Sequence, residues 1–178
     1  MFNIADVKKN PEGLHFDREL DIKELLMSRN PEILDIKNVR AKGLVGYDEG
    51  LFLLNYELSY LLTLPSSRSM EPVDLAQETL VSEVFIEAGQ VEAKKELVDE
   101  ELVLVLTDDF IDLEESVIDN ILLNIPLQVL TQAEATDASL PSGDNWSVMT
   151  ESQYQDLQEE KKSANNPFTR LEGMFDEE

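Results

Sequence analysis

An α+β fold, built on a mainly antiparallel sheet or partial barrel with one covering helix, is what the sequence predicts, and three observations carry that prediction. From Ile33 to Leu64 apolar residues recur at period two on both sides of Asp48, Glu49 and Gly50. A further strand-like run extends from Val73 to Ile86. Beyond it, the segment from Asp112 to Pro126 carries an apolar stripe at helical spacing.

Taken in order, LHFDREL reads as a strand with Leu14, Phe16, Arg18 and Leu20 on one parity and His15, Asp17 and Glu19 on the other. His15 therefore falls on its polar face. DIKELLMSRNP reads as a short amphipathic helix: Asp21 caps it, Glu24 follows three residues later, Ile22, Leu25 and Leu26 share a face, and Pro31 stops it. The two long runs on either side of the DEG turn predict a hairpin. After the turn-forming PSSRSMEP, the apolar parity switches near Thr79, from Val73 and Leu75 to Leu80, Val84 and Ile86, which predicts a bulge in the third strand. Short connections make an antiparallel meander the economical arrangement.

Residues 87–101 are polar enough for a loop or frayed helix, and LVLVL at 102–106 reads as a buried strand. In the next helix Asp112 caps with Glu115 three residues on, Leu113, Val117, Ile118, Ile121 and Leu122 line one face, and Pro126 lies past the end. That stripe is expected to cover one side of the sheet. From Thr131 the composition loosens. One α+β domain is expected over 1–130, followed by a flexible acidic segment over 131–178: a mobile linker at 131–149, a short helix capped by Thr150 and Gln153 and running through Lys162, and a last apolar turn at Phe168, Leu171 and Phe175.

The charge is lopsided. The 178 residues carry 38 Asp and Glu against 14 Lys and Arg, a formal net charge of -24. Residues 1–70 hold 9 basic and 11 acidic side chains, and residues 71–178 hold 5 and 27. Extensive gripping of phosphates needs the opposite sign, so direct, extensive nucleic-acid binding is disfavoured. Such a field attracts basic partners, or does no more than keep the chain soluble. No run approaches the roughly 20 apolar residues that span a bilayer. The first residues, MFNIADVKKNPEG, also lack the basic-then-apolar order of a signal peptide, so a cytoplasmic protein with no membrane partner is expected.

Catalytic chemistry has little to work with. There is no cysteine, and His15 is the single histidine, which excludes disulfides, thiolate metal sites and most zinc chemistry. No serine motif accompanies His15, so it reads as a solvated surface residue. No phosphate-cradling glycine loop is present, and no cofactor is expected. Asp108, Asp109 and Asp112 form an acidic constellation at a strand-to-helix junction, where clustered carboxylates can hold magnesium. Helix capping and dipole complementarity explain the same residues. Arg40 and Lys42, two apart on a strand, share a face and could make a small patch for RNA phosphate, against the plainer reading of solvated strand residues.

The order LTLPSSRSMEPV, long strand, acidic loop, strand, acid-capped helix ending in LLNIPLQVL, and terminal NPFTRL resembles the YceD family of bacterial large ribosomal RNA subunit accumulation proteins. Many relatives read Cys-x-Arg-Cys-Leu-Glu-Pro where this chain has Ser66, Arg68, Ser69, Met70, Glu71 and Pro72. Arg68, Glu71 and Pro72 match; both cysteines are serine, and serine hydroxyls are poor zinc ligands, so a metal role of that pair does not carry over. Arg68 and Glu71 thus join Arg40 and Lys42 as candidate binding residues. The resemblance implies a non-enzymatic role in accumulation or processing of large-subunit ribosomal RNA. With the acidic charge, it points to a basic ribosomal protein of the large subunit or a pre-ribosomal particle as partner, with direct RNA contact through the small N-terminal basic patch. A metal-dependent nuclease or phosphoesterase using Asp108, Asp109 and Asp112 on ribosomal RNA precursor is the alternative.

Overall fold

The computed structural model describes residues 1–100, 102–135, 142–143, 146–149, 154–155 and 157–158. By the clustering of its contacts the chain falls into two units, Met1–Val129 and Leu130–Glu178. The first contains β1 (Phe2–Asn3), α1 (Ile4–Lys9), β2 (Leu14–Glu19), α2 (Lys23–Arg29), β3 (Asp35–Asp48), β4 (Leu51–Pro65), β5 (Pro72–Glu87), a 3-10 turn at Ala88–Gln90, α3 (Lys95–Asp99), β6 (Leu104–Leu106), β7 (Phe110–Ile111) and α4 (Leu113–Leu123).

Five strands form one open sheet in the order β2-β3-β4-β5-β6, and β1 pairs with β7 beside it. All pairings in the large sheet are antiparallel except the last. The fold is thus α+β with a mostly antiparallel sheet that does not close into a barrel. Alternation along β4 sets the core: Phe52, Leu54, Tyr56, Leu58, Tyr60 and Leu62 are buried on one face. Each large apolar side chain buried this way contributes about 1.5–3 kcal/mol. Onto that face α4 lays Leu113, Val117, Ile118 and Ile121, all buried in the same cluster. Asp112 caps the helix as expected, its Oδ1 accepting from the Glu114 N–H at 3.0 Å.

The predicted hairpin is present, and its two-residue turn explains its sequence. Glu49 and Gly50 both adopt positive φ, 46° and 91°, the requirement of a turn whose twist matches the flanking strands. Gly43 has a different reason to be glycine: a Cβ there would collide with the Asn55 carbonyl and come within 2.6 Å of Tyr56 Cα.

Four local expectations are corrected. The cap position of α2 falls on Ile22, whose side chain is buried, and no side-chain cap bond forms; Asp21 does not cap it. The bulge lies in β3, between Lys37 and Arg40 with Asn38 at φ 54°, whereas β4 and β5 keep one register from Leu51↔Ile86 to Pro65↔Pro72. The apolar parity switch in β5 does not mark a bulge: Val81 belongs to the main core, and on the opposite face Ile86 is buried while Leu80 is exposed. Finally, the meander ends at β5. The connection through α3 brings β6 back parallel to β5, a reversal that a crossover of this length permits, and β6 is a half-exposed edge strand rather than a buried one.

In the second unit the described residues include α5 (Gln132–Ala135) and the β8 (Ser142–Gly143) and β9 (Trp146–Ser147) ladder. Thr131 and Glu134 cap α5 reciprocally: the Thr131 N–H donates to the Glu134 carboxylate at 2.8 Å, and Thr131 Oγ1 accepts from the Glu134 N–H at 3.2 Å. The helix capped by Thr150 and Gln153 and the apolar turn at Phe168, Leu171 and Phe175 lie largely or wholly outside the described residues.

Candidate functional site

Strand register puts Arg40 and Lys42 on the sheet face opposite the core, opposite Ser59 and Glu57 of β4 and Glu19 and Asp17 of β2. Arg40 grips Asp17 with two bonds, Nε to Oδ1 and Nη2 to Oδ2, both 2.7 Å. This bond, more than the attraction of the charges, holds the Asp17 carboxyl below the usual range. Glu57 and Glu78 sit next along the same face, and their shared hydrogen bond pushes Glu78 up. The cations therefore lie among more numerous carboxylates.

Beside Lys42 the outer face is concave, a depression of about 850 Å³ lined by His15, Lys42, Leu44, Asn55, Leu80 and Ser82 among others. His15 is exposed there, as its parity predicted. Leu80, 84% exposed, is its most prominent apolar side chain.

Arg68 and Glu71 are exposed in the turn between β4 and β5. Ser59, the partner of Arg40, and Pro65, at the start of that turn, are six positions apart along β4, roughly 20 Å at the rise of a strand. The four candidate binding residues are thus not one site. The turn itself is organised by a buried hydroxyl: Ser66 Oγ accepts from the N–H groups of Arg68 and Ser69 at 3.1 and 3.3 Å. Ser66 N–H donates to the Glu71 carbonyl at 2.8 Å, and Ser67 anchors Val129, its N–H donating at 2.7 Å and its Oγ accepting at 3.0 Å. The local bonding that serine favours in turns is what this stretch uses.

At the other end of the sheet, the three aspartates serve local structure. Asp112 caps α4, the Asp109 carbonyl accepts from the Ile4 N–H at 3.1 Å, and Asp108 accepts from the Thr107 hydroxyl at 3.4 Å. No group of three or more metal-ligating side chains is assembled among the described residues. Asp108 and Asp112 instead rim a groove of about 420 Å³ between β6 and α4, which Asp109 does not line. Its apolar lining comes from Met1, Phe85, Leu104, Val105, Leu106 and Phe110, and its carboxylates are Glu83, Asp108, Asp112, Glu115 and Asp119. Sequence reasoning missed this groove, because it depends on the parallel return of β6.

Two electrostatic arrangements fix its walls. Arg29 of α2 bridges Glu115 at 2.6 Å and Asp119 at 3.1 Å. Glu83 accepts from Ser116 Oγ at 2.7 Å and from Asn120 Nδ2 at 2.6 Å, which aligns its carboxylate against α4.

Comparison with known proteins bears on both ends of the sheet. Residues 54–175 match the family described as Large ribosomal RNA subunit accumulation protein YceD. The chain belongs to the YceD family. It is 28% identical over 157 residues to the uncharacterized protein YlbN of Bacillus subtilis (strain 168), covering 88% of this chain and 84% of that one. No solved structure matches. The YceD match takes in the Ser66 turn, β5, β6 and α4, whereas Arg40 and Lys42 precede it. By its description the YceD family is associated with accumulation of the large ribosomal RNA subunit. No helix among the described residues is long and apolar enough to cross a membrane.

Proposed function

We propose that this protein is a non-enzymatic, cytoplasmic ribosome-biogenesis factor that supports accumulation of large-subunit ribosomal RNA by holding a basic ribosomal protein. The observation that carries the reading is the charge of the part that the YceD match largely covers: residues 71–178 hold 27 acidic and 5 basic side chains. Direct contact with RNA through Arg40 and Lys42 is the weaker route, since Asp17, Glu19, Glu57 and Glu78 share their face.

The test is the ratio of large-subunit to small-subunit ribosomal RNA, with precursor ends mapped, in a strain lacking the protein and in one complemented with it. A low ratio restored by complementation is expected. An unchanged ratio overturns the role. Capture of a basic ribosomal protein at low salt, lost at moderate salt, is expected alongside. Magnesium-dependent cleavage of precursor that Asp109→Ala abolishes would instead establish the nuclease reading.

A further inference from the structure

We propose that the groove between β6 and α4 takes an extended, lysine- or arginine-bearing segment of a partner protein, added as a strand to the free edge of β6. The inference rests on the reading above that the partner is basic, and it names where and how that partner docks. Three observations converge on it.

First, β6 ends the sheet, so one of its edges has no strand neighbour among the described residues. The two edges of the sheet are treated differently. β2 carries Asp17, Arg18 and Glu19, the charges by which natural sheets discourage pairing with a further strand. β6 is Leu104, Val105 and Leu106, with Leu104 53% and Val105 41% exposed and Leu102 just before it 58% exposed. An apolar, uncharged edge is a template for strand addition.

Second, the groove beside that edge has apolar pockets of the kind that receive alternate side chains of an added strand. Phe85, Leu104 and Phe110 line it, and Phe110 is itself exposed. Third, its rim is anionic: it carries five carboxylates, of which Glu115 and Asp119 are paired with Arg29. A segment alternating apolar and cationic residues satisfies both. The protein's own residues 130–178 hold 11 acidic and 3 basic side chains, so their charge repeats that of the rim instead of complementing it.

The test uses the full chain and a short fluorescein-labelled peptide of alternating lysine and valine, followed by anisotropy at low salt. A second peptide of equal charge has proline in place of valine, which removes every other backbone N–H and fixes φ away from the strand value, so it is a poor partner for a strand ladder. The lysine-valine peptide is expected to bind about tenfold more tightly than the proline peptide, and Leu104→Lys is expected to weaken it by about the same factor. Leu80→Lys, which adds the same charge on the outer face of the sheet, is expected to leave affinity unchanged. Asp108→Asn, which makes the same one-unit change of charge in an exposed loop, replaces Leu104→Lys if that variant does not fold. Equal affinity for the two peptides, or equal loss in the Leu80 and groove variants, overturns the proposal, because either outcome means attraction by net charge alone. The two readings fail separately. A groove variant that loses the peptide yet restores the ribosomal RNA ratio sinks the docking site and leaves the biogenesis role. Normal ribosomal RNA in the deleted strain sinks the role and leaves the peptide site.

Discussion

Tyr56 Oη lies 2.8 Å from Ser116 Oγ, joining the middle of β4 to the covering helix through a buried hydrogen bond. Because the Ser116 hydroxyl donates to Glu83, the Tyr56 hydroxyl is the donor in this pair. Burial pushes the Tyr56 phenol up, so it keeps its proton through the working range. Ser116→Ala removes the acceptor of a buried hydroxyl and one donor to Glu83, and it is expected to cost about 1–3 kcal/mol in urea unfolding. Tyr56→Phe leaves Ser116 bonded to Glu83 and is expected to cost about 1 kcal/mol. The double variant should lose less than the sum, since the two share one bond. Strict additivity would show that the pair contributes nothing as a pair.

Two glycines in β3 separate steric need from chance. A methyl group at Gly43 meets the backbone of Asn55 and Tyr56, neither of which can rotate away, while at Gly46 nothing lies within 4 Å. Gly43→Ala is expected to destabilise by about 2 kcal/mol or more. Gly46→Ala should stabilise by up to about 1 kcal/mol, through the entropy of the unfolded chain. Thermal melts of the two variants moving in the same direction would contradict the close strand approach.

The hairpin and the covering helix were legible because each is decided by neighbours in sequence: Glu49 and Gly50 supply the turn, and Asp112 with Leu113, Val117 and Ile121 supply cap and stripe. What was not legible depends on distant contacts. Ile22 takes the cap position of α2 while its side chain is buried, which overrides the local appeal of Asp21. Nothing local announces that LVLVL returns parallel to β5, so the same residues that read as buried core form an exposed edge, and the groove beside them could not be foreseen. Asp108, Asp109 and Asp112 were picked out as a cluster, but only the fold shows that Asp108 and Asp112 border apolar side chains and that the three do not assemble into a metal-ligating group among the described residues.

The two serines of the Ser66 turn are predicted to differ. Ser66 is buried and its hydroxyl accepts from two backbone N–H groups, whereas Ser69 is exposed and its hydroxyl accepts from the Glu71 N–H at 3.5 Å. Ser66→Ala is expected to cost about 1–3 kcal/mol, and Ser69→Ala at most about 0.5 kcal/mol. Equal costs in denaturant titrations would mean that the buried hydroxyl does not organise the turn.

Two carboxylates on the outer face should answer acid in opposite directions. Asp35 accepts from Lys23 at 2.7 Å and Lys37 at 3.0 Å, and these bonds lower its pKa from 3.8 to about 2. Its folded value is depressed, so its contribution to stability is present above pH 3.8 and is lost as pH falls towards 2. Glu78 is raised above 4.5 by its hydrogen bond with Glu57, because only a protonated member of the pair can donate. Its contribution is present below pH 4.5 and is lost as pH rises through the folded value, where two carboxylates are left side by side. Asp35→Asn is therefore expected to lower the melting temperature at neutral pH, with the deficit shrinking as the buffer approaches pH 2. Glu78→Gln should raise it at neutral pH, with the gain vanishing below pH 4.5. Glu78 is exposed and Asp35 half-buried at the surface, so the shifts should be small and should shrink further in salt for Asp35. A Glu78→Gln gain that persisted unchanged into acid would mean that repulsion from Glu57 is not its source.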